Sequence, residues 1–263
     1  MSRIGRIGAE TTAAWYAFTR RRTAVFFTFF FPVILILIFS ALVRTDPTGG
    51  GLFAEPAGYY VAGYIAVVVL FTPLSRVGSE VARHRAGNRF EKLATTPLLR
   101  SEWLLAQTLV NVVVIGLASL VILVMLVLTT DASVSLSPLV VPYVVFGVAL
   151  FCGFGALLGR LADSQDGVIA ASNGIAIPIL FLSDTFIPPE LLPGWFVPFM
   201  DLSPLTYFAR GLRAVTYEPP ANAVTAAGEA GLIGADPYLN LLALVVLSAG
   251  FFTVGAYALP RTD

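Results

Sequence analysis

Six stretches of this chain run without a single charged residue for the length of a membrane-crossing helix, at residues 23–43, 57–75, 103–128, 139–158, 167–183 and 238–259. A helix needs about 20 apolar residues to cross roughly 30 Å of hydrocarbon, and these runs meet that length. The fifth is the shortest and carries Ser172 and Asn173, so its hydropathy signal is the weakest. Composition agrees: 57% of residues are hydrophobic and 12% charged, where soluble domains carry roughly 25% charged residues. The expected fold class is an all-α membrane protein with six transmembrane helices. Six spans leave little of the 263 residues for a soluble unit, so one domain, 1–263, is expected.

The basic residues set the orientation. With the N-terminus inside, the cytoplasmic segments hold Arg3, Arg6, Arg20, Arg21, Arg22, Arg76, Arg83, Arg85, Arg89, Lys92, Arg100, Arg160 and Arg261, and the outer side keeps Arg44, Arg210 and Arg213. Thirteen against three places both termini in the cytoplasm of a cell-membrane protein. Arg20-Arg21-Arg22 before an apolar run resembles a secretory or twin-arginine signal, but that run is too long for a signal core and no small-x-small site follows it. It is therefore read as a retained span. Upstream, Ile4, Ile7, Thr11, Ala14, Trp15 and Phe18 recur at helical spacing, with Arg3, Arg6 and Glu10 off that face. Residues 1–22 are expected to form an amphipathic helix in the inner membrane interface; a frayed basic tail is the alternative.

Several chemistries are excluded early. Cys152 is the one cysteine, so there is no intrachain disulfide, and its place in the fourth run favours buried packing. His84 is the one histidine, expected to be a solvated loop residue, and no histidine-based metal site can form within one chain. A formal net charge of zero gives no sign of a nucleic-acid partner. No Gly-rich phosphate loop ending in Lys-Ser or Lys-Thr is present, so no nucleotide cofactor is expected on this chain.

Residues 76–102 concentrate six basic residues between two apolar runs, the natural place to meet a soluble partner. Within them Asn88 is suited to cap a helix, Glu91 to reach back as a capping box, and Thr95-Thr96-Pro97 to stop it. Phe90, Leu93 and Ala94 then share a face while Arg89 and Lys92 project elsewhere. A helix this short is marginal alone, so the rest of the protein or a partner must hold it. Ser101 is expected to cap the third span, with Glu102 in its first turn.

The outer segment 184–237 opens with an apolar, proline-rich stretch, residues 186–200, that is too short to cross a membrane and is expected to dip into or lie on the outer leaflet. Ser203-Pro204 then starts a short helix running through Tyr207, Arg210 and Arg213. Those arginines could meet lipid phosphates, anionic cargo, or outer acids such as Asp201.

Two motifs carry a family resemblance: RAGNRFEKLATTPLLRSEWLLAQ between the second and third spans, and FLSDTFIPPELLPGWFVPFMDLSPLTYFARGLRAV after the fifth. Glu91, Leu93 and Thr96-Pro97-Leu98 in the first, with Phe186, Pro188, Leu192-Pro193, Trp195, Ser203-Pro204-Leu205 and Arg213 in the second, resemble the permease subunit of type-two ABC exporters. The likeness spans nearly the whole chain and departs where Gly87-Asn88 replaces a common Gly-Thr. It implies a half-transporter that pairs with a second permease, the same or a related one, and with two copies of a separate ATPase that uses ATP and Mg. It also implies a coupling contact at Arg89, Phe90, Glu91, Lys92, Leu93, Thr95, Thr96 and Pro97, and a second one in the loop holding Arg160, Asp163 and Asp166. On the residues alone, Asp163 and Asp166 are helix-capping candidates and not a metal pair.

Polar positions on apolar spans mark a possible cargo path, here Ser172, Asn173 and Ser183, although helix–helix hydrogen bonding explains them equally. Two other classes compete with transport. An intramembrane enzyme acting on lipid or peptide would need catalytic groups at membrane depth, which these runs lack. A non-transporting membrane scaffold shares the same hydropathy.

Overall fold

The computed structural model describes residues 2–42, 57–129, 135, 137–186, 189, 192–217, 234 and 236–260. Arg44, Arg261 and the outer acids Asp46, Glu55, Asp131, Glu218 and Glu229 lie outside these residues, as does part of the proline-rich stretch. Ten α-helices follow in order among the described residues: α1 Arg3–Thr19, α2 Arg22–Leu42, α3 Val61–Ala86, α4 Arg89–Ala94, α5 Arg100–Thr129, α6 Val140–Leu161, α7 Gln165–Leu182, α8 Val197–Met200, α9 Pro204–Thr216 and α10 Pro237–Ala258. A 3-10 turn, Ala57–Tyr60, leads into α3.

Among the described residues the fold is all-α, and five helices are long and apolar enough to cross a membrane: α3 with its leading turn, α5, α6, α7 and α10. The fifth apolar run, weakest by hydropathy, is the helix α7 and is among them. The helix α2 covers the first run, and it meets α1 at a bend of 77°. Ser2 caps α1 by accepting from Gly5 N at 3.2 Å. Along α1, Ala14 and Phe18 are buried against Val110 and Val114 of α5, Ile7 and Thr11 are half-buried, and Ile4 is exposed, so cover of the expected apolar face weakens toward the N-terminus.

The centre of the bundle is α3, packed along α6 and α7 and touched by α5 and α9. Lipid tails are as apolar as leucine, so helices in hydrocarbon gain by close backbone approach at small residues. A Cβ built on Gly155 of α6 would lie 2.6 Å from the carbonyl of Leu74 in α3, and Gly255 of α10 sits equally tightly on Gly153 of α6. The three helices therefore form a slab with backbone against backbone. Gly155→Leu is expected to destabilise the chain by at least about 1–3 kcal/mol through overpacking. Thermal unfolding in detergent micelles checks this.

The helix α3 continues eleven residues past the second apolar run, to Ala86, so much of the basic segment is helix and not loop. Charge ends the hydrophobic run, but the helix persists because its charges find partners. Arg76 lies over the Phe18 ring at 4.6 Å and donates to Asn111 Oδ1 at 3.1 Å. Glu80 is buried and binds Arg21 at 2.9 Å and Arg83 one turn on. Cys152 is wholly buried in α6, as its surroundings required.

Candidate functional site

The short helix α4 sits on the end of α3. Gly87 N donates to Arg83 O at 3.0 Å and Asn88 N to Arg85 O at 3.1 Å, closing α3. Asn88 adopts φ 49°, the left-handed region, and makes no side-chain cap bond to α4. The expected capping box between Asn88 and Glu91 is thus absent. Asn88 tolerates the left-handed turn that reverses the chain, and this use of asparagine takes precedence over capping. At the other end, Thr95 and Thr96 hydroxyls donate to Lys92 O at 2.8 Å and Leu93 O at 2.6 Å, and the helix stops there as the sequence indicated.

The inner face of α4 is held by rings. Phe90 is buried, 5.4 Å from His84 and 5.5 Å from Trp103 between ring centroids, and His84 and Trp103 are also 5.4 Å apart. Such pairs add about 0.5–1.5 kcal/mol each beyond their burial. His84 therefore departs from the solvated loop histidine expected: it lies in α3, half-buried, with Nδ1 2.8 Å from Glu80 O. Leu93 is half-buried against the main core, so the apolar face of α4 seats the helix on its own protein. Arg89, Glu91, Lys92, Thr95, Thr96 and Pro97 are all exposed and form the outward surface.

Ion pairs fix the surroundings. Glu102, buried in the first turn of α5, accepts from Arg6 at 2.7 and 3.0 Å, from Arg3 at 3.1 Å and from Leu99 N at 3.1 Å. It thus ties α1 to α5 and caps α5 in reverse. Ser101 is inside α5, which begins at Arg100, so it is not the cap expected of it. A cavity of about 390 Å³ lies between α1, α3, α4 and α5, with Glu10, Glu80, Arg83, His84, Arg89 and Lys92 on its wall. Burial and the neighbouring Glu80 carboxylate push the Glu10 carboxyl upward.

The second predicted loop lies alongside. Arg85 Nη1 donates to Gly159 O, Arg160 O and Ala162 O at 3.1, 2.8 and 2.9 Å, gripping the carbonyl end of α6. Arg160, Asp163 and Asp166 are exposed there. The cap of α7 is Ser164, which accepts from Gly167 N at 3.0 Å, so neither aspartate caps it through its side chain; Asp166 stands in the first turn.

Of the possible path residues, Asn173 is exposed on α7 and Ser172 is buried. Ser183 is committed locally, donating to Leu180 O at 2.7 Å and sharing a hydrogen bond with Thr185. These three do not converge on one surface.

In α9, Arg210 is buried and binds Asp184 through Nε and Asp201 through Nη1, both at 2.8 Å. Arg213 donates to Asp184 O at 2.7 Å and lies 3.9 Å above the Tyr59 ring. Pairing with outer acids is therefore the role of these arginines. Ser203 stands at the start of α9, followed by Pro204, but its hydroxyl goes to Ile179 O at 3.2 Å instead of capping.

The pairing roles of Arg21, Glu80 and Arg85 were not foreseen in the sequence, nor was the tie of Glu102 to α1, although its place in the first turn of α5 was. Their signal was faint: Glu80, Glu91 and Glu102 are the only acids in the basic segment 76–102, and the sequence does not mark which of the three are paired.

Residues 6–217, from α1 through α9, match the model of the family described as ABC-2 type transporter. The chain is 27% identical over 195 residues to the daunorubicin resistance ABC transporter permease protein DrrB1 of Streptomyces coeruleorubidus. That alignment covers 71% of this chain and 66% of the relative, so the chain spans just under two thirds of the relative's length.

Proposed function

The chain belongs to the ABC-2 type transporter family, and from that premise we propose that it is the membrane half of an ATP-driven exporter. In this reading it is a permease that pairs with a second copy or a related permease to enclose the cargo path. A separate ATPase binds ATP and Mg, and this chain supplies no catalytic residue. All six apolar runs cross the cell membrane, both termini are cytoplasmic, and α1 lies in the inner interface.

The observation that carries the reading is the division of α4 into two faces. Phe90 and Leu93 anchor it, while Arg89, Glu91, Lys92, Thr95, Thr96 and Pro97 stand free toward the side that the basic asymmetry assigns to the cytoplasm. That surface is the ATPase contact, and Asp163 and Asp166 belong to the second one. Closure of the ATPase pair on ATP then biases the permease pair toward an outward-open state, moving the helices to which α4 is fixed. Asn173, exposed on α7, is the polar group offered to the path. The relative's name makes an amphiphilic drug such as daunorubicin the first cargo to try.

The test is co-expression with the candidate P-loop ATPase, followed by purification on a tag carried by this chain. The ATPase should copurify, and daunorubicin should stimulate hydrolysis in proteoliposomes. Transport by a monomeric chain, or an ATPase that never copurifies, would overturn the proposal. Topology is checked separately with single cysteines at Asp163 and Glu229 in a Cys152→Ala background. They should label from opposite sides of a sealed membrane, and labelling of both from outside would remove the six-span arrangement.

A further inference from the structure

The cavity between α1, α3, α4 and α5 exists because one side of α1 carries no large apolar side chain. Glu10, Ala13, Ala14 and Ala17 stand at i, i+3, i+4 and i+7 and line it together, and the alanines leave about 390 Å³ that the opposing helices do not fill. That volume falls within the roughly 300–1,000 Å³ of small-molecule sites. On the α4 side the wall carries Arg89 and Lys92.

The charges on the two sides are not matched to one another. Glu80 is already answered, with Oε1 on Arg21 at 2.9 Å and Oε2 on Arg83. Glu10, Arg89 and Lys92 make no ion pair among the described residues, so a carboxylate on α1 and two cations on α4 share one open space without closing it. Arg83, on the same wall, keeps Nε buried and without a hydrogen-bond acceptor. The upward displacement of the Glu10 carboxyl, caused by burial and by Glu80, is what a cation bound beside it would reverse. A simple anion would answer Arg89 and Lys92 and set a second negative charge against Glu10, and a simple cation would do the opposite. The complement of the cavity is therefore a ligand that carries both charges a few bonds apart. Two cations at i and i+3 suit the several acceptor oxygens of a phosphate.

We infer that this cavity binds a phosphoethanolamine group, its ammonium at Glu10 and its phosphate at Arg89 and Lys92. A primary ammonium brings three N–H donors to the carboxylate, as a lysine does, whereas a trimethylammonium brings none, so the site separates ethanolamine from choline. With α1 in the inner interface, as proposed above, the group arrives as the headgroup of phosphatidylethanolamine or as free phosphoethanolamine, which share this chemistry. The assignment does not rest on ATP coupling, and its test omits the ATPase.

The test uses the full-length chain alone in phosphatidylcholine nanodiscs that contain phosphatidylethanolamine spin-labelled on its acyl chain, with the immobilised lipid fraction read by electron spin resonance. The chain should hold this lipid in preference to spin-labelled phosphatidylcholine. Glu10→Gln keeps the shape of the side chain and should lower that preference on the order of tenfold, the low end for a hydrogen bond to a charged group. Arg89→Gln with Lys92→Gln should lower it on the order of tenfold or more. Ala13→Phe fills the cavity without changing charge and should release the lipid. Arg20→Gln with Arg22→Gln, which removes two exposed charges outside the cavity, should retain the preference. Displacement of the lipid by soluble phosphoethanolamine, and not by phosphocholine, would assign the site to the free compound as well; retention of the lipid would assign it to the bilayer headgroup, and both support the proposal. It is overturned if phosphatidylethanolamine is not preferred, if Glu10→Gln, the Arg89 and Lys92 variant or Ala13→Phe matches the unaltered chain, if the Arg20 and Arg22 control loses as much, or if phosphocholine competes as well as phosphoethanolamine.

Discussion

Arg210→Ala is expected to cost the folded chain about 3 kcal/mol, because it removes the closest counter-charge of two carboxylates and leaves the buried Asp184 carboxylate with Arg213 at 3.5 Å. Asp184 and Arg210 are both almost fully buried, and Arg210 also holds Asp201 at 2.8 Å. Through Asp184 the network reaches Arg213 and the Tyr59 ring, so it joins the end of α7, the start of α3 and α9. Thermal unfolding of the detergent-solubilised chain should show the loss, with Asp184→Ala close behind. Arg210→Lys should recover only part of the stability, since an ammonium cannot present the fork of donors that spans two carboxylates. An unchanged unfolding temperature in Arg210→Ala would mean that the outer helix is held by packing alone.

Phe90→Ala should have the second large effect, and a different one. Truncating a buried phenylalanine costs about 3–5 kcal/mol, but here the cost falls on a six-residue helix that cannot stand without its anchor. The spans should insert and the chain should reach the membrane in near-normal amount. What should be lost is the seat of α4 on His84 and Trp103, and with it ATPase copurification and daunorubicin-stimulated hydrolysis. Leu93→Asp should act in the same direction, because it puts a charge against the core that Leu93 packs on. Glu91→Ala removes an exposed side chain without a capping role, so it should leave stability unchanged and lower only ATPase affinity. Full ATPase binding and hydrolysis in Phe90→Ala would end the coupling assignment for α4.

The bundle was legible because hydrophobic length is a property of the chain itself. Uncharged runs located α2, α3, α5, α6, α7 and α10, and Ser203-Pro204 located α9. The end of α3 was not legible, because what prolongs it is tertiary: Arg76 on Asn111 and Glu80 on Arg21 meet only once α1, α2 and α5 are in place. Asn88 shows a subtler limit. The short polar side chain that makes asparagine a good cap also lets it enter the left-handed region, and local sequence does not choose between the two uses. For the site, the paired face of Phe90 and Leu93 followed from helical spacing, and Asp201 was visible as a partner for Arg210. The ring partners of Phe90 were hidden because a lone histidine in a basic segment resembles a solvated one.

Arg85 gives the molecule a kind of mechanical economy. One guanidinium grips three carbonyls within the last turn of α6, so the end of α3 that carries α4 and the α6–α7 corner are fastened to each other. A push on either is a push on both. On the proposed coupling to an ATPase, the two surfaces act as one lever with a single stroke, and a load on the α6–α7 corner is felt at α4 without passing through the hydrocarbon.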